Sequence, residues 1–397
     1  MLSFLEACTI IENEILNFEI NCEKVSIEDA INRTTAESLI ADVDLPSFNN
    51  SAVDGIAVKY ENGITNWKIS DEISAGNFND SEYKDSVEIM TGAKLPEIFD
   101  TVIPLEDYRM INDSAVLNEN AKICKGMNVR YKASDAKVNE VIISKNTFLT
   151  ARNISGAVSC GSSEINVYKK LIFGILATGD ELIPINETPK DDKLRVSNNY
   201  GLSAAVTLIH QQSINFGFIN DDYNKLKNKL KEMLKSECDI LITTGGVSVG
   251  KYDYVKEIFS ELGVDEIFWK VYIKPGKPIF FGKYENNGMS KLIFALPGNP
   301  VSSLVNFDVL VKPSILKKYS QPQPLKFKAI LKNDIKKNDT KRHFVSGIID
   351  VNKNEVITHS SQSSGNLAGF SKSNCLVEIN EKTLNPKNGD IVECIMI

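Results

Sequence analysis

Between Leu171 and Leu316 the chain alternates apolar runs with helix-period segments. The runs LIFGILATG, INFGFI, DILITT, EIFWKVYI, PIFFGKY and LIFAL are apolar on both faces. Helical periodicity appears around Tyr200 to Gln211, from Asp222 to Lys235, around Tyr252 to Leu262, and from Pro300 to about Lys317. Strands apolar on both faces belong in a largely parallel sheet covered by helices, so this stretch reads as a doubly wound α/β domain. Gln321-Pro322-Gln323-Pro324 then favours an extended linker. Beyond it KFKAIL, HFVSGIID, EVITHS, CLVEI and IVECIMI alternate with Asn, Lys and Gly, the pattern of a small all-β barrel or sandwich. Upstream, MLSFLEACTIIENEILNF has the period of an amphipathic helix. SAVDGIAV, NWKISDEI, TVIPLEDY and EVIISK then predict a β-rich, extended N-terminal portion.

Composition narrows the class without naming an activity. A chain of 397 residues is long enough for two to four domains, and 42% hydrophobic with 24% charged residues is ordinary for a globular protein. No apolar run approaches the roughly 20 residues that cross a bilayer. The first residues carry acids and no basic segment, so they do not read as a signal peptide, and a cytoplasmic location is the expectation. Seven cysteines are scattered with no CxxC pair, which predicts reduced, mostly buried thiols. Three histidines give little material for a zinc cage or a His-centred triad, so a bound metal would need oxygen ligands. A net charge of −7 argues against a nucleic-acid partner. Any anion site must be a local cluster of cations.

Several loops could supply one. DILITTGGVSVGKYDYVK, Asp239 to Lys256, reads as strand, glycine loop and helix start. Gly245, Gly246, Ser248 and Gly250 would let backbone approach an oxyanion or phosphate, with Asp253 beside them. ATGDEL sets Asp180 and Glu181 at the carboxyl end of a strand, where α/β sheets bind ligands, as candidate Mg²⁺ ligands or simply as acids at a helix start. IKPGKP places Lys274 and Lys277 on one stiff turn, and LPGNP places Pro297, Gly298 and Asn299 before a helix that Pro300 opens. Ser197 and Asn198 read as a helix cap or a ligand edge, Asp221 with Asp222 as caps, and TGAKLP as a turn presenting Thr91. Taken alone, Asp54-Gly55 is a β-turn signal, with Asp54 also open to service as a ligand or base.

In this order, DLPSFNNSAVDGIAV, ATGDEL, TTGGVSVGKYDYVKE, IKPGKP and LPGNPVSS resemble the molybdenum insertases, the molybdopterin molybdenumtransferases and the gephyrin E domain. The resemblance covers essentially the whole chain. A related molybdopterin adenylyltransferase shares the α/β domain but lacks the N-terminal signature and the β C-terminal domain. The resemblance implies four domains: residues 1–44 with 136–170, residues 45–135, a molybdopterin-binding α/β domain over 171–320, and a C-terminal barrel over 321–397. It further implies a homodimer that takes adenylylated molybdopterin and molybdate to molybdenum cofactor and AMP with Mg²⁺, and leaves open whether the adenylyltransferase docks on it. By matched position it implies catalytic roles for Asp54, Glu181, Asp253, Lys274 and Lys277, and substrate contacts for Thr91, Arg130, Asp135, Asp221 and Ser364.

The chain also departs from the family. Ser47, Asn49, Val53 and Ile56 stand where a proline, Asp, Met and Tyr are usual, and KASDAK around Asp135 lacks the usual glycine and acid. The C-terminal arginine motif is reduced to DTKRHFVSG, where Lys341 or Arg342 is the expected substitute cation. Two alternatives follow the same fold: a non-catalytic scaffold, which would have no need of Asp54, Glu181, Asp253 and both lysines, and an insertase that prefers tungstate.

Overall fold

A computed structural model describes residues 1–77, 83, 85–246, 254–359 and 362–397. The chain divides into two compact units, Lys24–Ile31 with Thr35–Val167, and Met1–Glu23 with Asn32–Thr34 and Tyr168–Ile397. No helix among the described residues is long and apolar enough to cross a membrane.

The larger unit contains the predicted parallel sheet. Its strands lie in the order Gln212–Ile219, Ile172–Thr178, Ile240–Thr244, Met289–Leu296, Phe280–Asn286 and Val264–Trp269. The first four are parallel, and Phe280–Asn286 runs antiparallel to both its neighbours. Alternate residues feed opposite cores, as the two-residue period of a strand requires. Phe173, Ile175, Ile242 and Phe294 face the helices Asn198–Leu208 and Pro300–Asn306. Leu176, Leu241, Ile293 and Ala295 face Tyr223–Lys235 and Val255–Glu261. Asp222 caps Tyr223–Lys235 by accepting the Lys225 N–H at 2.9 Å.

Three expectations are corrected in detail. The last helix is interrupted by a π-turn at Phe307–Val311 before Lys312–Lys318 completes it. EIFWKVYI is two strands, because Lys270 at φ 70 turns the chain out of the sheet. The second piece, Ile273–Lys274, pairs in parallel with Arg342–Asp350 of the C-terminal sheet, Ile273 opposite Arg342 and Lys274 opposite His343. The acids of ATGDEL open no helix; the short strand Leu182–Ile183 follows them and pairs with Leu194–Arg195.

The C-terminal strands Lys326–Leu331, Arg342–Asp350, Glu355–Thr358, Cys375–Ile379 and Ile391–Met396 close into a barrel through the pairing of Arg342–Asp350 with Cys375–Ile379. Ala329, Leu331, Val345, Val356, Val377 and Cys394 fill it. The N-terminal helix Phe4–Asn17, opened by a Ser3–Glu6 capping box, buries Phe4, Ala7, Ile11 and Ile15 in the core of the α/β sheet. Phe4 also meets Phe344 of the barrel at 5.1 Å between ring centroids.

In the smaller unit six strands run in the order Thr101–Pro104, Gly55–Val58, Ser86–Ile89, Asn66–Ile73, Ser114–Leu117 and Tyr108–Ile111. A second core gathers Leu39, Ile143, Leu149, Ala157 and Ile165 around the helix Ala151–Ser159. The Asp54-Gly55 pair is not a hairpin turn. Gly55 begins an inner strand, and a Cβ there would lie 1.9 Å from the Ile103 carbonyl oxygen, so only a hydrogen fits between the two backbones. Gly55→Ala should therefore lower the stability of the folded chain by at least ~2 kcal/mol in denaturant titration, and an unchanged midpoint would contradict this packing.

Candidate active site

The ligand-binding end of the α/β sheet is built around buried threonines. Thr178 ends one central strand and Thr244 the next, and their hydroxyl oxygens are buried without a hydrogen-bond partner among the described residues. Unpaired buried oxygens are costly, and here they lie beside the glycine loop. Gly245 at φ 91 and Gly246 at φ 64 adopt conformations that L side chains avoid, and a Cβ on Gly245 would stand 2.4 Å from the Thr178 carbonyl oxygen. Gly298 comes over the same glycine, its Cβ position 3.3 Å from the Gly245 Cα. The Asn198 amide ties a third loop to this pair by donating to the Gly298 carbonyl at 2.7 Å. Asn198 Oδ1 is left buried without a described partner.

These loops form one wall of a cavity of about 920 Å³. Of the residues predicted from sequence, Glu181, Ser197, Asn198, Gly245, Gly246, Lys274, Lys277, Pro297, Gly298, Asn299 and Ser364 line it. The backbone links the last two loops, since Val301 N–H donates to the Ser364 carbonyl at 3.2 Å. The turn carrying the lysines is fastened at Gly276, whose carbonyl accepts the Asn306 amide at 3.1 Å. Both lysines are exposed to the cavity. Gly179 permits the Glu181 carboxylate to fold back over the chain, because a Cβ at 179 would lie 2.4 Å from Glu181 Oε2. Asp180 is adjacent in sequence but does not line the cavity; its Oδ1 accepts the Asp221 N–H at 3.1 Å. Asp221 thus serves the Asp180 loop, and Asp222 alone makes the helix-capping bond. Ser197 precedes its helix without making a side-chain cap.

Ser248, Gly250 and Asp253 lie outside the described residues. The described helix after the glycine pair starts at Val255, whose N–H donates to the Gly246 carbonyl at 3.3 Å.

The remaining candidates belong to the smaller unit. Asp54 is exposed, and its Oδ1 accepts both the Thr91 N–H at 2.7 Å and the Thr91 hydroxyl at 2.8 Å. The backbone bond first, then the hydroxyl, holds the Asp54 carboxyl below its usual pKa. Arg130 and Asp135 pair at 2.5 Å, both about half exposed.

Sequence reading missed much of the opposite wall. Arg195, Lys336, His343, His359 and Ser363 also line the cavity. Arg195 stands two residues before Ser197 and Ser363 directly before Ser364, so neighbourhood was a usable signal for both. Lys336 and the histidines sit among the strands and turns of the barrel, where nothing in the local pattern marks a site. The expected substitute cations are committed elsewhere. Arg342 bonds Glu378 at 2.8 Å and Glu381 at 3.0 Å and stands over the Phe4 ring at 5.2 Å, while Lys341 pairs with Asp339 at 3.3 Å. Neither lines the cavity.

Residues 2–161 match the MoeA N-terminal region (domain I and II), residues 174–317 the probable molybdopterin binding domain, and residues 328–397 the MoeA C-terminal region (domain IV). A molybdopterin molybdenumtransferase of Haemophilus influenzae is 33% identical over 390 residues, covering 96% of this chain and 95% of that protein. The chain belongs to the molybdopterin molybdenumtransferase family. A member from Bacillus subtilis is 28% identical over 391 residues, with 94% and 90% of the two chains covered. The crystal structure of a molybdopterin biosynthesis moeA protein from Pyrococcus horikoshii OT3 superposes over all of both chains with a TM-score of 0.83 at 26% identity.

The lowered pKa of Asp54 has a sign that can be tested. A group depressed in the folded state adds stability above its unfolded pKa, and loses that contribution as pH falls through the folded value. Thr91→Val removes the hydroxyl and keeps the backbone bond, so the Asp54 carboxyl carbon should titrate at higher pH in NMR. An unshifted midpoint would show that the hydroxyl contributes nothing.

Proposed function

We propose that this protein takes adenylylated molybdopterin and molybdate to molybdenum cofactor and AMP. The observation that carries the reading is the single cavity in which glycine loops, Glu181 and the paired lysines Lys274 and Lys277 converge. Backbone groups at Gly245, Gly246 and Gly298 approach closely enough to receive the phosphate end of a pterin, beside Asn198, whose buried Oδ1 has no partner among the described residues. Lys274 and Lys277 face the charge of molybdate and phosphate oxygens, and fixed cations at that position lower the barrier to losing AMP. The dithiolene sulfurs that receive the metal belong to the substrate, consistent with cysteines that are all free and mostly buried or scattered.

Among the described residues no group of three His, Cys, Asp or Glu side chains could hold a metal by itself. That is compatible with Mg²⁺, which binds through one or two carboxylates together with waters and substrate phosphates. Glu181 at the cavity and Asp180 next to it are the residues that would hold it, and the ion would supply charge neutralisation at the phosphoanhydride. Asp54, fixed by Thr91, and Asp135, paired with Arg130, are in this reading further active-site groups. The reading also includes a homodimer, a cytoplasmic location, and the molybdopterin adenylyltransferase as the source of the substrate. With the expected substitutes Lys341 and Arg342 paired away from the cavity, Lys336 and Arg195 are the additional cations that line it.

The deciding experiment incubates the purified protein with adenylylated molybdopterin, Mg²⁺ and either molybdate or tungstate, and measures AMP and active cofactor. Oxyanion-dependent AMP release is expected, reduced about 100-fold or more in Glu181→Ala. Absence of release by the folded protein would overturn the reading and favour a scaffold. Faster release with tungstate would reassign the metal.

A further inference from the structure

His343 is one of the most enclosed side chains of the cavity wall, only 4% exposed, and it has neighbours of both signs of charge. On one side its Nε2 meets Asp339 Oδ1 at 2.7 Å. On the other it is the direct partner of Lys274 in the parallel pairing of Ile273–Lys274 with Arg342–Asp350, so the two side chains leave the sheet on the same face. Burial lowers the His343 pKa, Asp339 works against that, and Lys274 and Lys337 add to it. The imidazole is therefore neutral at neutral pH and donates its Nε2–H to a carboxylate. Burial works to raise Asp339, but bonds from His343 and Lys341 bring it down to about 2.

Asp339 is fully engaged. Its Oδ1 receives His343 and the Lys341 N–H at 3.0 Å, its Oδ2 receives the Lys341 ammonium at 3.3 Å, and its carbonyl receives the ammonium of fully buried Lys337 at 2.9 Å. Lys337 also donates to the Thr383 carbonyl at 2.9 Å, which pins the loop that carries this carboxylate. Among the described residues Lys274 has no ion-pair partner, although its register partner His343 bonds the carboxylate of Asp339. A lysine stem is flexible and long enough to seek such an acid. The imidazole is the neighbour that the two have in common.

We propose that His343 is a positioning residue that screens Asp339 from Lys274, keeping the ammonium of Lys274 unpaired and available to an oxyanion in the cavity. The ring does this in two ways: it fills the space between the two groups, and it occupies the acceptor that Lys274 would otherwise take. For the reaction, the inference rests on the function proposed above. The charge state of Lys274 itself does not, and can be read without any substrate.

The test compares His343→Phe, which keeps a ring-sized filler but removes the donor, with His343→Ala, which removes both, and with His343→Ala/Asp339→Asn. The first readout is trace acetylation of Lys274 in the folded full-length chain, quantified by peptide mass spectrometry against all other lysines. In His343→Ala the rate at Lys274 alone should fall by about threefold or more, and Asp339→Asn should restore it. His343→Phe should lie between the two. If His343→Ala fails to fold, as judged by circular dichroism, the same comparison is made with His343→Phe and His343→Phe/Asp339→Asn. The second readout is the molybdate dependence of AMP release, where kcat/KM for molybdate should fall roughly fivefold and recover in the double variant. A purely structural histidine would not be rescued by Asp339→Asn. Unchanged Lys274 reactivity, or a fall that Asp339→Asn does not reverse, overturns the proposal. Loss of AMP release in the unmodified chain would instead fall on the proposed function and leave the acetylation result standing.

Discussion

Two residue pairings, Ile273 with Arg342 and Lys274 with His343, join the α/β domain to the barrel, and the cavity takes its shape from that join. The strand they form has only two residues, so its pairing depends on neighbours. Arg342, bonded to Glu378 and Glu381 and stacked over Phe4, locks the barrel side, and the Phe4–Phe344 contact brings the N-terminal helix to the same point. Charged groups taken out of water are stable only with full sets of partners, and Arg342 has one. The arginine that sequence offered as an oxyanion ligand is thus a structural clasp.

Charge is distributed against the average of the molecule. The chain is acidic overall, with a net charge of −7, yet Arg195, Lys274, Lys277 and Lys336 all line one cavity. Those four cations share the wall with two carboxylates, Glu181 and Asp334, so the cavity is locally cationic in an acidic chain, and local arrangement matters more than the total. Two buried lysines elsewhere donate to backbone carbonyls, Lys291 to those of Ser236 and Cys238 and Lys337 to those of Asp339 and Thr383.

The α/β domain was legible because its signals are local. Strands buried on both faces read as apolar runs, and glycines forced into positive φ, such as Gly245, mark where loops meet. Motif order then recovered one wall of the cavity. The other wall was not legible, because Lys336, His343 and His359 face the cavity only through the closure of the barrel, a long-range pairing with no local sequence mark. Asp54-Gly55 misled in the opposite direction. Its composition is that of a turn, while the need for a hydrogen facing the Ile103 carbonyl is tertiary and leaves the same letter in the sequence.

The helix Phe4–Asn17 finds its contacts far along the chain. Cys8 lies against the Val309 carbonyl, Lys318 donates to the carbonyls of Leu16 and Phe18, and Phe4 waits for Phe344, all some 300 or more residues away. Local contacts form early and distant ones late, so the buried face of this helix waits for the last helical segments of the α/β domain, and Phe4 for the barrel as well. A chain cut short before residue 344 would carry the glycine loop and both lysines but lack the ring that Phe4 meets. The N-terminal helix thereby draws its contacts from both the α/β domain and the barrel, the two parts whose residues line the cavity.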